Sequence, residues 1–235
     1  MRALAIVHQR DAGAGVFTDA TTASGWELDR WIPAEEAAPP RDPLDYDAVL
    51  VLGGAMNVDD DDRLSWLAAE KKLLRELLEW RVPLLGVCLG AQLVAEAAGA
   101  APRRAAEPEI GWFEVELTPE AGRDPVVGGM PQRFEAFQWH SYEFPLPPNA
   151  VPLARSPVCL QAFRMNDRAW GIQFHAEVSL EIVEDWIDDY RSDEDAVRIG
   201  LDDEALRRRS RESIRRWNAL GRELWRRFLS VATPE

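Results

Sequence analysis

The chain has 235 residues, 46% of them apolar and 29% charged, which is enough for one large α/β domain and excludes a disordered or fibrous protein. Its 41 acidic and 27 basic residues give a net charge of −14, which argues against nucleic acid as a partner because phosphate neutralisation needs a basic face. No apolar run approaches the roughly 20 residues of a membrane span, and the short apolar start lacks a cleavage-type segment, so a cytoplasmic location is expected.

Residues 3–8 (ALAIVH) read as a short buried strand followed by a DAGAG loop. Residues 13–18 (GAGVFT) lack the third glycine of a dinucleotide loop and are read as an ordinary connection. Residues 26–31 alternate as a second strand, and the proline-rich stretch 33–45 is a surface connection. The continuous apolar run 48–52 (AVLVL), stopped by Gly53-Gly54, suits a parallel strand covered on both faces. Leu64, Leu67, Leu74 and Leu78 predict a helix over 63–81 that ends before Pro83. The carboxylates of Asp59–Asp62 precede it and read as a capping loop. Residues 84–87 are again a strand, and 89–99 a helix.

This rhythm predicts a three-layer, open, mostly parallel α/β sheet of flavodoxin-like type. From residue 112 the pattern changes to alternating segments (112–117, 133–137, 151–155, 158–163 and 169–174), which extend the sheet as mixed strands. Ser179 is a helix N-cap for 179–191, and an acidic stretch 192–203 leads into a helix over 203–229 with nine Arg and three Glu. The organisation expected is an α/β domain over 1–191 with a helical extension over 192–235 packed on it. The arginines read first as a solvated face paired with the acidic stretch, and alternatively as a docking face for an acidic partner or a second copy in a homodimer.

Cys88 and Cys159 are too few for a disulfide framework, and none of His8, His140 and His175 stands at a ligand-type spacing from a cysteine, so neither zinc nor another metal is expected. No P-loop is present, and no cofactor is expected. The strongest chemical signal is PLLGVCLGAQLVAEAAG. A strand runs into Gly86-Val87-Cys88-Leu89-Gly90 and then a helix, which is a nucleophile elbow with cysteine in the serine position. At a helix N-terminus the thiolate form of Cys88 is favoured, and the Leu89 N–H points where an oxyanion would form. The base is His175, at the end of an alternating strand, with Glu177 two residues on and therefore on the same side of an extended chain. A second oxyanion donor must come from another loop, and Gly53-Gly54, after the central strand, lies at the ligand edge of such a sheet; the pair reads either as that donor or as a tight turn with no ligand. Cys159, in an apolar alternating strand, reads as core.

GVCLGAQ, then QWHSYEF and QFHAEV, with GGAM upstream, resemble the class I glutamine amidotransferase family over about residues 46–180. The stand-alone members described as similar to the glutaminase part of GMP synthase are the closest in pattern. The resemblance implies a Cys88–His175–Glu177 triad, an oxyanion hole from Gly54 and Leu89, and a substrate pocket involving Gln92, Trp139, His140, Ser141 and Tyr142. The family usually carries proline between the histidine and the glutamate. Ala176 stands there instead, so the placement of Glu177 is the open point of the triad. The implied activity is hydrolysis of glutamine to glutamate and ammonia, with a synthetase partner in trans as acceptor. The alternatives are a γ-glutamyl peptidase and a catalytically idle regulatory protein on the same fold.

Overall fold

The structure is a computed structural model and describes residues 1–233; residues 234 and 235, the end of the expected helical extension, lie outside the described residues. The strands are β1 (Arg2–Ile6), β2 (Glu27–Trp31), β3 (Ala48–Val51), β4 (Leu84–Val87), β5 (Arg103–Leu117), β6 (Arg133–Glu143), β7 (Val151–Arg155), β8 (Leu160–Met165) and β9 (Ala169–Ile172). The α-helices are α1 (Val16–Ala23), α2 (Ser65–Glu79), α3 (Leu89–Ala97), α4 (Leu180–Asp188), α5 (Glu194–Arg198) and α6 (Asp203–Ala232).

Among the described residues, all nine strands form one open sheet in the order β2-β1-β3-β4-β9-β8-β7-β5-β6. Pairing is parallel from β2 through β9 and antiparallel from β9 to β6. The parallel half has the 2-1-3-4-5 arrangement of flavodoxin-like folds. Strands β1, β3, β4 and β9 are buried on both faces, which explains their apolar runs, whereas β2 at the sheet edge is partly exposed and carries Glu27, Asp29 and Arg30. Ala3, Ala5, Leu50 and Leu85 face a core shared with α1, α4 and α6, whereas Leu4, Ile6, Val49 and Leu84 face a core shared with α2 and α3. The period-2 alternation of these strands therefore separates two helical layers.

Three differences from the expected elements have physical causes. Helix α1, absent from the sequence reading, is eight residues long and rich in threonine, a weak helix former. Tertiary packing stabilises it: Phe17 stacks on Trp225 at 5.0 Å, and Trp225 Nε1 donates to Thr21 Oγ1 at 2.8 Å. Strands β5 and β6 run much longer than their alternating cores, because the start of β5 pairs with the end of β6 beyond a register shift between Arg104 and Glu109. Strand β9 stops at Ile172, so His175 lies in the connection beyond it.

The long helix α6 joins the same core through Trp217, Leu224, Trp225 and Phe228. Arg207 pairs with Asp188, Arg211 with Glu184 and Arg209 with Glu135, while Arg208, Arg226 and Arg227 pair with glutamates of α6 itself. These exposed pairs each contribute about 0–1 kcal/mol, so the apolar face is what holds the helix. Its closest approach is at Gly221, where a Cβ would lie 2.0 Å from the carbonyl oxygen of Ala176.

That contact gives a test of the packing. In an open helix Gly221→Ala would gain about 1 kcal/mol in helix propensity. Here the clash with a backbone oxygen should cost roughly 3 kcal/mol, the upper part of the overpacking range. Urea denaturation should therefore show a net loss of roughly 2 kcal/mol. A more stable variant would mean that α6 does not sit this close to residue 176.

Candidate active site

The C-terminal ends of β1, β3, β4 and β9 lie side by side, and each is followed by a residue with chemical potential: His8, Gly53-Gly54, Cys88 and His175. This is the edge at which open α/β sheets bind ligands.

Cys88 joins β4 to α3 with φ 51° and ψ −111°, a region that side-chain-bearing residues rarely enter. Its N–H donates to Ile172 O at 2.8 Å, and its carbonyl accepts from Gln92 N at 3.0 Å. The flanking glycines have separate steric reasons. A Cβ on Gly86 would lie 2.6 Å from the Gly90 carbonyl, and one on Gly90 would lie 2.1 Å from Val51 O. Helix α3 can start only by touching the end of β3. The Cys88 thiol is within 3.8 Å of Trp139 O.

His175 donates from Nδ1 to Glu177 Oε1 at 2.7 Å, and both side chains are almost wholly buried. Gly53 lies between the ring and the cysteine: a Cβ there would be 2.9 Å from His175 Cε1 and 3.5 Å from Cys88 Cβ. Burial alone would push the pKa of His175 down. The negative charges of Glu177 and Cys88 outweigh it and raise the pKa to about 10. Trp186 packs edge-on against the ring, with centroids 4.8 Å apart.

The segment carrying this pair is held without a proline. Trp217 Nε1 donates to His175 O at 2.8 Å, Val16 N to Glu177 O at 2.8 Å, and Asn218 Nδ2 to Val178 O at 2.7 Å. Gly221 closes on Ala176 O. Four consecutive carbonyls are thus covered by α1 and α6, which fixes the placement of Glu177 that Ala176 leaves open.

A cleft of about 740 Å³ opens on Cys88, Leu89, Gly54 and His175, and all five residues expected in the substrate pocket line it. Several of their polar groups are already committed. Gln92 donates to Tyr142 O at 3.1 Å, Trp139 Nε1 donates to Asp193 at 2.8 Å, and the Tyr142 hydroxyl reaches Asp59 at 3.4 Å. His140 is bound through Nδ1 to Tyr142 O at 2.9 Å and through Nε2 to Glu109 at 3.1 Å. Its ring therefore fastens the wall of the cleft. Ser141 lies between these residues on the same wall, where Asp195, held by Arg104 and Arg198, forms part of the rim.

Spacing did not anticipate the cluster behind this wall. Glu109, His140 and Cys159 bring ligand-type atoms within 4.8 Å of one another. Glu109 Oε2 accepts from His140, Ser156 at 3.0 Å and Gln161 at 2.8 Å, with the Cys159 thiol at 3.6 Å, so the atoms form a hydrogen-bonded knot across β5, β6 and β8. Burial and the neighbouring carboxylate push the Cys159 thiol far up, which leaves it unreactive. Sequence reasoning also missed Trp186 and His8. The position of His8 at the end of a parallel strand was the available signal.

The pattern of the family described as "Glutamine amidotransferase class-I" matches residues 27–185, a span that includes the elbow, Gly53-Gly54 and the His175–Glu177 pair. The chain belongs to this family. The glutamine amidotransferase-like protein YfeJ of Salmonella typhimurium is 29% identical over 99% of this chain and 98% of its own length. A subunit of the glutamine-hydrolysing GMP synthase of Pyrococcus abyssi is 36% identical over 46% of this chain and 58% of its own. A crystal structure of a glutamine amidotransferase from Thermotoga maritima superposes with a TM-score of 0.88 at 29% identity, covering 97% of this chain and 98% of that one. Among the described residues of this amidotransferase-family chain, no helix is long and apolar enough to cross a membrane.

The raised pKa of His175 has a signed consequence. A folded-state pKa above the unfolded value of about 6.5 adds stability that is fully present below pH 6.5 and is lost as pH rises through about 10. The unfolding free-energy difference between wild type and His175→Gln should therefore be flat at low pH and shrink between about pH 6.5 and 10. A difference that does not change over that window would show that no proton is held on the ring.

Proposed function

We propose that the protein hydrolyses a γ-glutamyl amide, with glutamine as substrate and glutamate and ammonia as products. The observation that carries this reading is the buried His175–Glu177 pair beside a strained cysteine at the mouth of a ligand-sized cleft. The family and the relatives named as glutamine-hydrolysing GMP synthase subunits support it. His175 takes the Cys88 proton and, with its raised pKa, keeps it at neutral pH. The Cys88 sulfur attacks the γ-carbonyl carbon, and the carbonyl electron pair moves to an oxygen held by the N–H groups of Gly54 and Leu89. Collapse of this intermediate breaks the C–N bond while His175 gives its proton to the departing nitrogen. Water, deprotonated by His175, then clears the γ-glutamyl thioester.

The same GMP synthase relatives, each named as one subunit of its enzyme, support delivery of the ammonia to a synthetase partner in trans. A free cysteine nucleophile suits the reducing cytoplasm. One observation favours a second reading, a γ-glutamyl peptidase. The cleft falls in the range of about 300–1,000 Å³ that encloses drug-sized ligands, leaving room for a leaving group larger than ammonia.

Three measurements test this reading. kcat/KM for glutamine should exceed that for a γ-glutamyl dipeptide and should rise when a synthetase partner is present. A clear preference for the dipeptide selects the peptidase, and turnover of neither selects the idle regulatory protein. A diazoketone analogue of glutamine should modify Cys88 and spare Cys159 in peptide mass spectra. His175→Asn should remove nearly all turnover, while Glu177→Gln keeps part of it, because one loses proton transfer and the other only charge stabilisation and ring orientation. Equal losses would give Glu177 a larger share of the chemistry.

A further inference from the structure

The reaction needs two N–H groups aimed at one oxygen, and one of them sits on a peptide with little to hold it. The Gly53–Gly54 peptide is flanked by glycines on both sides, so the backbone dihedrals on either side are unusually free to rotate it. A peptide is planar, with its C=O and N–H pointing in opposite directions. Whatever fixes the Gly53 carbonyl therefore fixes the Gly54 N–H. That N–H has no acceptor among the described residues.

The Gly53 carbonyl is met by His8. Its Nδ1 lies 3.1 Å from Gly53 O, and its Nε2 lies 3.0 Å from both carboxylate oxygens of Glu70 on α2. Both side chains are fully buried, and Trp66 stacks on the imidazole with centroids 5.7 Å apart. Gly53 O can only accept, so the contact is attractive only when Nδ1 carries a hydrogen. With Nε2–H directed at an ionised Glu70, the ring is then the doubly protonated imidazolium. Burial opposes that charge, but Glu70 and the backbone carbonyls outweigh it and raise the His8 pKa. The approach is close: a Cβ on Gly54 would lie 2.8 Å from His8 Cβ. The next N–H, that of Ala55, is held by Gln9 Oε1 at 2.7 Å, so the loop is pinned on either side of the unpartnered donor.

We propose that His8, held by Glu70, is the positioning residue of the oxyanion hole: it locks the Gly53 carbonyl toward β1 and so aims the Gly54 N–H into the cleft. Without this bond, rotation of the Gly-Gly peptide would present a carbonyl oxygen to the developing anion. The inference rests on the reading of Gly54 as an oxyanion donor. It gives a function to a histidine that neither touches the thiol nor lines the cleft.

The test compares two reactions of Cys88 in the same protein. Acylation by p-nitrophenyl acetate forms a C–S bond through a tetrahedral oxyanion and expels p-nitrophenolate. Alkylation by iodoacetamide displaces iodide with no oxyanion. In His8→Leu the ratio of acylation to alkylation rates should fall about 100-fold, the scale of one lost oxyanion donor. His8→Asn places an amide N–H near the position of the histidine Nδ1 and should bring the ratio back to within about tenfold of wild type, whereas His8→Gln, whose amide reaches toward Glu70, should not. The alkylation rate and the circular dichroism spectrum confirm an intact cleft. If His8→Leu does not fold, the Asn and Gln pair decides. Ratios within about twofold of wild type in Leu, or equal in Asn and Gln, overturn the proposal, as does wild-type alkylation without acylation. Glutamine turnover is assayed in parallel: a wild type that acylates but hydrolyses no γ-glutamyl compound defeats the functional reading, while the ratio still decides on His8.

Discussion

The left-handed backbone of Cys88 is the constraint on which the rest of the structure depends. A residue with a side chain in that conformation costs about 1–3 kcal/mol and persists only where its surroundings over-determine it. Here β4 is fixed on both sides by parallel pairing to β3 and β9. The Cys88 N–H is fastened to Ile172 O, and Gly90 touches Val51 O, so neither strand nor helix can relax away. The same parallel register brings the ends of β1, β3 and β9 to the cysteine, and the other polar groups of the site follow from it.

The second half of the chain completes the site in two ways. Strand β6, paired antiparallel to β5, carries Trp139–Tyr142 to the cleft, and the buried Glu109 knot ties those two strands to β8. Helices α1 and α6 act on the other side. They cover the carbonyls of residues 175–178, replacing the stiffness of a proline with hydrogen bonds and one glycine contact. The cost of this arrangement is dependence on a remote element. The geometry of the His175–Glu177 pair is tied to the seating of a helix whose contacting residues lie some 40 positions further along the chain. The apolar stripe of α6 is therefore part of what positions the His175–Glu177 pair, and its arginines, paired on the outside, are secondary to it.

Buried charge is handled the same way throughout. His175 with Glu177 and His8 with Glu70 are pairs in which burial alone would strip the imidazole of its proton, and in each a carboxylate at hydrogen-bond distance keeps it. One pair stands beside the Cys88 thiol at the cleft, and the other meets the backbone carbonyl of Gly53. Both sit at strand ends, where side chains meet free peptide groups that no sheet ladder uses.

The elements whose signals are local can be read from the residues alone. The apolar run of β3, the glycine-flanked elbow at Cys88, the Ser179 cap of α4 and the amphipathic stripe of α6 are each set by neighbours within a few residues, and the structure contains all of them. The pairing of His175 with Glu177 was legible for the same reason, although the chain there is not a strand but a connection held from outside. The other features arise from packing between distant segments. Helix α1 forms because Trp225, some 200 residues away, packs on Phe17 and bonds Thr21. The length of β5 was decided by its partner strand, and the Glu109 knot joins residues spread over about 50 positions. His8 gains a partner 62 residues on and an acceptor 45 residues on. Periodicity and spacing record contacts along the chain, whereas these depend on which strand ends the sheet order makes neighbours, and that order is fixed only when the whole core packs.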